Sequence, residues 1–179
     1  MHATFSTVER VLLIAALVIF GIGSRLLPHP PAATAMTAVI VASAFYLGGR
    51  ASILVSLAVL VFSDIVLGTY ELPVMFSVYG SFLLITLVGM QFRKFKGILS
   101  RASLLVAAPV VFFLVTNAAV WYFTPWYTKD LSGLMTSYTL ALPFLRNMLV
   151  GDFVYTALIF GALSLVLSPV TSKKMMHAS

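Results

Sequence analysis

Arg146, Asn147 and Asp152 fall within about three helical turns of an otherwise apolar stretch, Leu142 to Thr156. Charged and amide groups in such a place have few uses: they pair across helices, line a water-filled pocket or hold a ligand. Pro143 suits the first turn of a helix, where its missing N–H costs nothing, so the spacing predicts a span from Pro143 to about Ser168, just before Pro169. Asp152 then lies inside hydrocarbon. It stands about 9 Å along the axis from Arg146 and is turned roughly 120° away from it. The two share no face, so each needs a partner from another helix, from water or from a ligand.

Other helices carry polar residues to a similar level. Measured from the basic residues that open each span, Arg25 lies about 22 Å above Arg10, Asp64 about 21 Å above Arg50 and Asn117 about 24 Å above Arg101. With Asp152, this predicts one polar layer roughly a third of the way into a core of about 30 Å, with Arg146 and the His29 loop just above. Two readings follow. In the structural one, Arg25 and Arg146 neutralise Asp64 and Asp152 while Asn117 supplies hydrogen bonds. In the functional one, the layer is a pocket open to the outside, roofed by Pro28 to Pro31 and by the aromatic connection after Phe123, with Tyr155 lining its floor. Trp126 is the aromatic residue expected to touch a ligand; the neighbouring Trp121, Tyr122 and Tyr127 fit a headgroup-level belt.

Catalytic and metal chemistry find little support in the residue pattern. There is no H-E-x-x-H, G-x-S-x-G or glycine-rich phosphate loop, and no acid pair at a convincing spacing, so no enzyme activity, cofactor or metal is expected. His29, alone between prolines, reads as a solvated loop residue before it reads as a ligand; His2 and His177 lie in the tails. The absence of cysteine excludes disulfides and thiolate ligands.

The elements that position these residues are membrane spans. With 61% hydrophobic residues, 9% charged residues and a mean hydropathy of +1.07, the chain has more apolar surface than a soluble domain of 179 residues could bury. The expected fold is all-α, an integral membrane bundle of six transmembrane helices forming one domain over 1–179, with spans at about 8–27, 33–47, 51–67, 73–92, 102–123 and 143–168. The first run could be mistaken for a signal peptide, but it is long and Arg25 sits where cleavage would leave it. Thr34, Ala38 and Ala42 form a stripe of small residues suited to close helix contact. Pro109 predicts a kink in the fifth span, and Leu131 to Leu140 a short interfacial helix before the sixth.

The net charge of +6 suggests nucleic acid until its position is considered. Arg10, Arg50, Arg93, Lys94, Lys96, Arg101, Lys173 and Lys174 all flank one side of six spans, whereas Asp64, Glu71, Asp130 and Asp152 fall in the other half. That asymmetry predicts cytoplasmic termini and no nucleic-acid partner. The Arg93 to Arg101 cluster reads first as a topology marker and second as a contact for anionic membrane lipid.

Arg25-Leu-Leu-Pro-His-Pro-Pro31, Ser63-Asp64, Leu142-Pro-Phe-Leu-Arg-Asn147 and Gly151-Asp152 through Tyr155-Thr156 together resemble an uncharacterised family of six-span bacterial membrane proteins, over essentially the whole chain. That family is similar to the substrate-binding S components of energy-coupling factor transporters. The resemblance implies an S-component-like bundle in the bacterial cytoplasmic (inner) membrane. It further implies capture of a small vitamin-like solute near the outer surface, and uptake alone or with an ATP-driven coupling module. Carried over, it suggests Asp64, Asn117, Trp126, Arg146, Asn147 and Asp152 as pocket residues, beside Arg25, His29 and Tyr155 from the layer itself. Two departures stand out. S components typically dock on their coupling subunit through a small-xxx-small stripe in the first helix, but here Ala15 and Ala16 are followed by Ile19 and Phe20. Solitary S-like proteins that bind cobalamin use a cysteine, which this chain lacks. The alternative from another class is a structural or assembly membrane protein.

Overall fold

The computed structural model describes residues 5–92 and 98–176. Six helices follow one another: α1 (Thr7–Leu26), α2 (Met36–Tyr46), α3 (Gly49–Leu67), α4 (Leu72–Phe92), α5 (Ile98–Phe123) and α6 (Leu131–Met176). No strand occurs among the described residues. All but α2 are long and apolar enough to cross a membrane, so the chain is a helical membrane-spanning bundle. Arg93, Lys94 and Lys96 of the basic cluster lie outside the described residues, as do His2 and His177.

Helix α1 begins where the sequence puts it. Ser6 Oγ accepts from the Glu9 amide at 3.3 Å and Glu9 Oε2 accepts from the Ser6 amide at 2.7 Å, a reciprocal cap that satisfies two amides otherwise orphaned. Leu13, Leu17, Gly21 and Ser24 form its buried stripe. Gly21 allows α3 to come close: a Cβ there would meet Val59 Cγ2 at 2.7 Å.

Helix α2 is the axle of the bundle. It packs against all the other helices, and every residue from Met36 to Ala44 is buried. Ala38 and Ala42 are fully enclosed, so the small-residue stripe is buried as expected, although Thr34 lies in the segment ahead of the helix. Its 11 residues give about 16 Å of helix, roughly half the hydrocarbon thickness. The rest of the depth is covered by non-helical backbone around the buried Ala33 and Ala35. Such backbone is tolerated at membrane depth only inside protein. At the opposite end, Arg10 Nη2 donates to the Leu47 carbonyl at 2.9 Å, and Gly48 and Gly49 adopt positive φ to turn the chain into α3.

The last helix departs from expectation. Leu131 to Met176 form one helix of 46 residues, with Pro143 inside it and no break before Pro169, in place of a short interfacial helix and a span from Pro143 to Ser168. The start is set at Asp130, whose Oδ1 accepts from the Gly133 amide at 2.7 Å and from Thr128 Oγ1 at 2.9 Å. These bonds hold the Asp130 carboxyl below the usual carboxylate range. Pro143 removes one helical hydrogen bond, yet the turns before it are clamped to α5. Ser137 Oγ donates to the Asn117 carbonyl at 3.1 Å and Tyr138 OH to the Leu114 carbonyl at 2.9 Å. Neighbouring helices commonly compensate a proline in this way. Pro109 likewise lies inside α5 without ending it.

Candidate functional site

Arg25 occupies the last turn of α1 and Asp64 the last turn of α3, and α1–α3 packing brings them together. Arg25 Nη2 meets Asp64 Oδ1 at 2.5 Å, with side-chain exposures of only 15% and 7%. Tyr79 of α4 donates its hydroxyl to the second carboxylate oxygen at 3.0 Å. Asp64 is thus held by two other helices, as a charge removed from water must be. The Arg25 Nε is buried and has no partner.

The connection from α1 to α2 folds over this pair. His29 sets Nδ1 2.8 Å from the Pro30 carbonyl and Nε2 3.4 Å from the Arg25 carbonyl, which fixes the ring against the backbone. The Ala33 amide donates to Pro30 O at 2.9 Å, and Ala32 sits at φ 66°, a left-handed conformation unusual for a residue with a Cβ. Two side chains tie the segment down. Ser24 Oγ accepts from the Ala35 amide at 3.0 Å, and Asn147 Nδ2 of α6 donates to the Pro31 carbonyl at 3.1 Å.

Beneath this roof lies a cavity of about 420 Å³. Arg25, His29, Ala32 and Thr34 line it from α1 and the roof, Leu67 from the end of α3 and Tyr70 from the α3–α4 connection. Val78 and Phe82 of α4, Phe112 of α5 and Met148 of α6 complete the walls. Phe82 and Phe112 pack with centroids 4.6 Å apart, so the wall combines an aromatic pair and aliphatic side chains with a few polar groups. Burial raises the Tyr70 phenol above its ordinary pKa, the Asp64 carboxylate adds to this and Arg25 opposes it, so Tyr70 stays a neutral hydroxyl.

Asp152 occupies a separate polar site. Only 2% exposed, it faces the Thr37 hydroxyl of α2 and forms no ion pair with a described residue. Its Oδ2 and Thr156 Oγ1 are buried without partners. Gly151 beside it accommodates the roof segment, since a Cβ would stand 3.3 Å from Ala33 Cα.

The expected single layer therefore divides in two. Arg25, Asp64 and Tyr79 form one group, Asp152 and Thr37 the other. Arg146 does not neutralise Asp152; its position on α6 turns it to the exposed face. Asn117 donates to the Phe113 carbonyl of its own helix at 2.8 Å and does not reach the layer. Trp126 is 71% exposed and Tyr155 packs edge-to-face on Phe20 at 5.9 Å, so neither lines the cavity. Of the other expected residues, Arg25 and His29 line it, Asp64 backs Arg25, and Asn147 holds the roof. Tyr70, Phe82, Phe112 and Met148 carry no sequence signal for lining the cavity, because aromatic and aliphatic residues look alike whether they face a cavity or lipid; Tyr79 and Thr37, beside Asp64 and Asp152, carry none for those contacts. Among the described residues, no group of three or more His, Cys, Asp or Glu side chains converges as a metal site would require.

The chain belongs to DUF6580, a family of unknown function, whose model matches residues 5–175. No curated protein and no solved structure matches it.

Proposed function

We propose that this protein captures a small, vitamin-like solute in the cavity beneath the Pro28 to Ala35 segment, on the outer side of a bacterial cytoplasmic membrane with both termini cytoplasmic. It would act in uptake in the manner of an S component of an energy-coupling factor transporter, alone or with an ATP-driven coupling module. The observation that carries the reading is a cavity of about 420 Å³ ending at Arg25, whose buried Nε lacks a partner. That volume lies within the range of small-molecule sites, and the mix of apolar wall and few polar groups is typical of them. The basic residues Arg10, Arg50, Arg93, Lys94, Lys96 and Arg101 on one side support the orientation. A carrier is favoured over an enzyme because the charge at the cavity is already neutralised, Arg25 by Asp64.

A structural or assembly role is the second reading, favoured by the saturation of Asp64 by Arg25 and Tyr79. Thermal unfolding of the purified protein in detergent across a panel of vitamins and precursors separates the two. A solute that binds only the folded state raises the midpoint by mass action. Phe112→Ala, which opens the wall without touching the ion pair, should abolish that rise; a panel with no active compound favours the structural reading.

A further inference from the structure

We propose that Asp152, Thr156 and Thr37 form a binding site for a small monovalent cation within the bundle, directly below the solute cavity. Threonines elsewhere in the chain, two of them on α6 itself, show what is unusual here. Thr86, Thr116, Thr124, Thr136 and Thr139 each donate to the carbonyl four residues earlier, at 2.7 to 2.8 Å, which is the usual resting place of a helical hydroxyl. Thr156 does not, and its Oγ1 is buried without any partner. One turn before it on the same face, Asp152 Oδ2 is buried and unpartnered as well. Thr37 of α2 brings a third oxygen to the carboxylate.

The donor set selects the ligand. One carboxylate and two hydroxyls are hard oxygen donors, suited to alkali and alkaline-earth ions and poor for metals that prefer imidazole or thiolate. A single carboxylate balances one positive charge, whereas a divalent ion would leave net charge inside hydrocarbon. A proton on Oδ2 would neutralise Asp152 but bring Thr156 no partner, since the two oxygens do not bond each other. An ion between them serves both. Met148, four residues before Asp152, and Thr34, three before Thr37, line the cavity, so a cation here would join the two elements that form part of the cavity lining. The inference does not depend on what the cavity holds.

The test uses the full-length protein in detergent, with choline chloride exchanged for NaCl or KCl at constant ionic strength. Saturation at about a hundred times the dissociation constant should raise the unfolding midpoint by roughly 5 to 10 °C. Asp152→Asn should abolish the shift, and Thr156→Val and Thr37→Val, which keep the shape, should each shrink it; if Asp152→Asn does not fold, these two decide. Equal midpoints in all three salts overturn the proposal, as does a shift retained in the variants, which would put the ion elsewhere. A midpoint that responds only to pH, with the response lost in Asp152→Asn, overturns it in favour of a proton site.

Discussion

Arg25 Nη2 and Asp64 Oδ1 meet at 2.5 Å across the α1–α3 interface, and this contact makes the C-terminal ends of two helices interdependent. Breaking a buried pair by removing one partner costs about 3 to 5 kcal/mol, because the remaining charge is left without compensation. Arg25→Gln and Asp64→Asn should each lower stability by an amount of that order, and the double variant should lose less than the sum. A double-mutant cycle of unfolding midpoints in detergent measures the coupling; strict additivity would mean that the pair does not hold the helices.

Gly21 and Val59 set how closely the same two helices pack. A methyl group at Gly21 would meet Val59 Cγ2 at 2.7 Å, so Gly21→Ala should destabilise by about 1 to 3 kcal/mol, as overpacking does. Val59→Ala should recover much of that loss in the double variant. The expected readout is a midpoint above that of Gly21→Ala alone.

Ala38 in the middle of α2 is fully enclosed. Ala38→Leu would add three carbons where helices approach from several sides, and the expected result is misassembly seen as aggregated or proteolysed protein. A variant that purifies with the parent's midpoint would show that this contact yields easily.

Asp130 should make the start of α6 sensitive to acid. Its carboxyl is held below the ordinary value, first by the Gly133 amide and then by the Thr128 hydroxyl. A lowered folded pKa gives stability that is present above the unfolded value near 3.8 and is lost as pH falls through the folded pKa. The protection of the Gly133 and Leu134 amides, measured by hydrogen exchange relative to the intrinsic rate at each pH, should therefore fall at acid pH in the parent. In Asp130→Ala the protection should be low throughout and show no such transition.

Membrane orientation is tested by reporter fusions. Fusions at Ser179 and near Lys129 should report opposite sides under the proposed orientation, which takes the basic residues as marking the cytoplasmic ends of the spans. The same side for both would overturn the proposed orientation.

Composition alone determined that this chain lives in a membrane, and runs of apolar residues bounded by prolines, glycines and charges located the first five helices to within a few residues. The capping pattern at Ser6 and Glu9 marked the start of α1, and the small residues of α2 marked its burial. These signals are local: hydropathy, caps and breakers act through neighbouring residues. The tertiary structure decided the rest. Pro143 obeyed a local rule in the sequence, but the Asp130 cap and the clamp of α5 on Ser137 and Tyr138 carried the helix through it. Axial depth suggested Arg25, Asp64, Asn117 and Asp152 as neighbours, yet only helix rotation and tilt could pair Arg25 with Asp64 and leave Asp152 facing Thr37. The cavity wall of Phe82, Phe112 and Met148 was hidden for a further reason. In a soluble protein an apolar side chain points inward, but in a bilayer both faces of a helix are apolar, so packing alone separates a residue that lines a cavity from one that meets lipid.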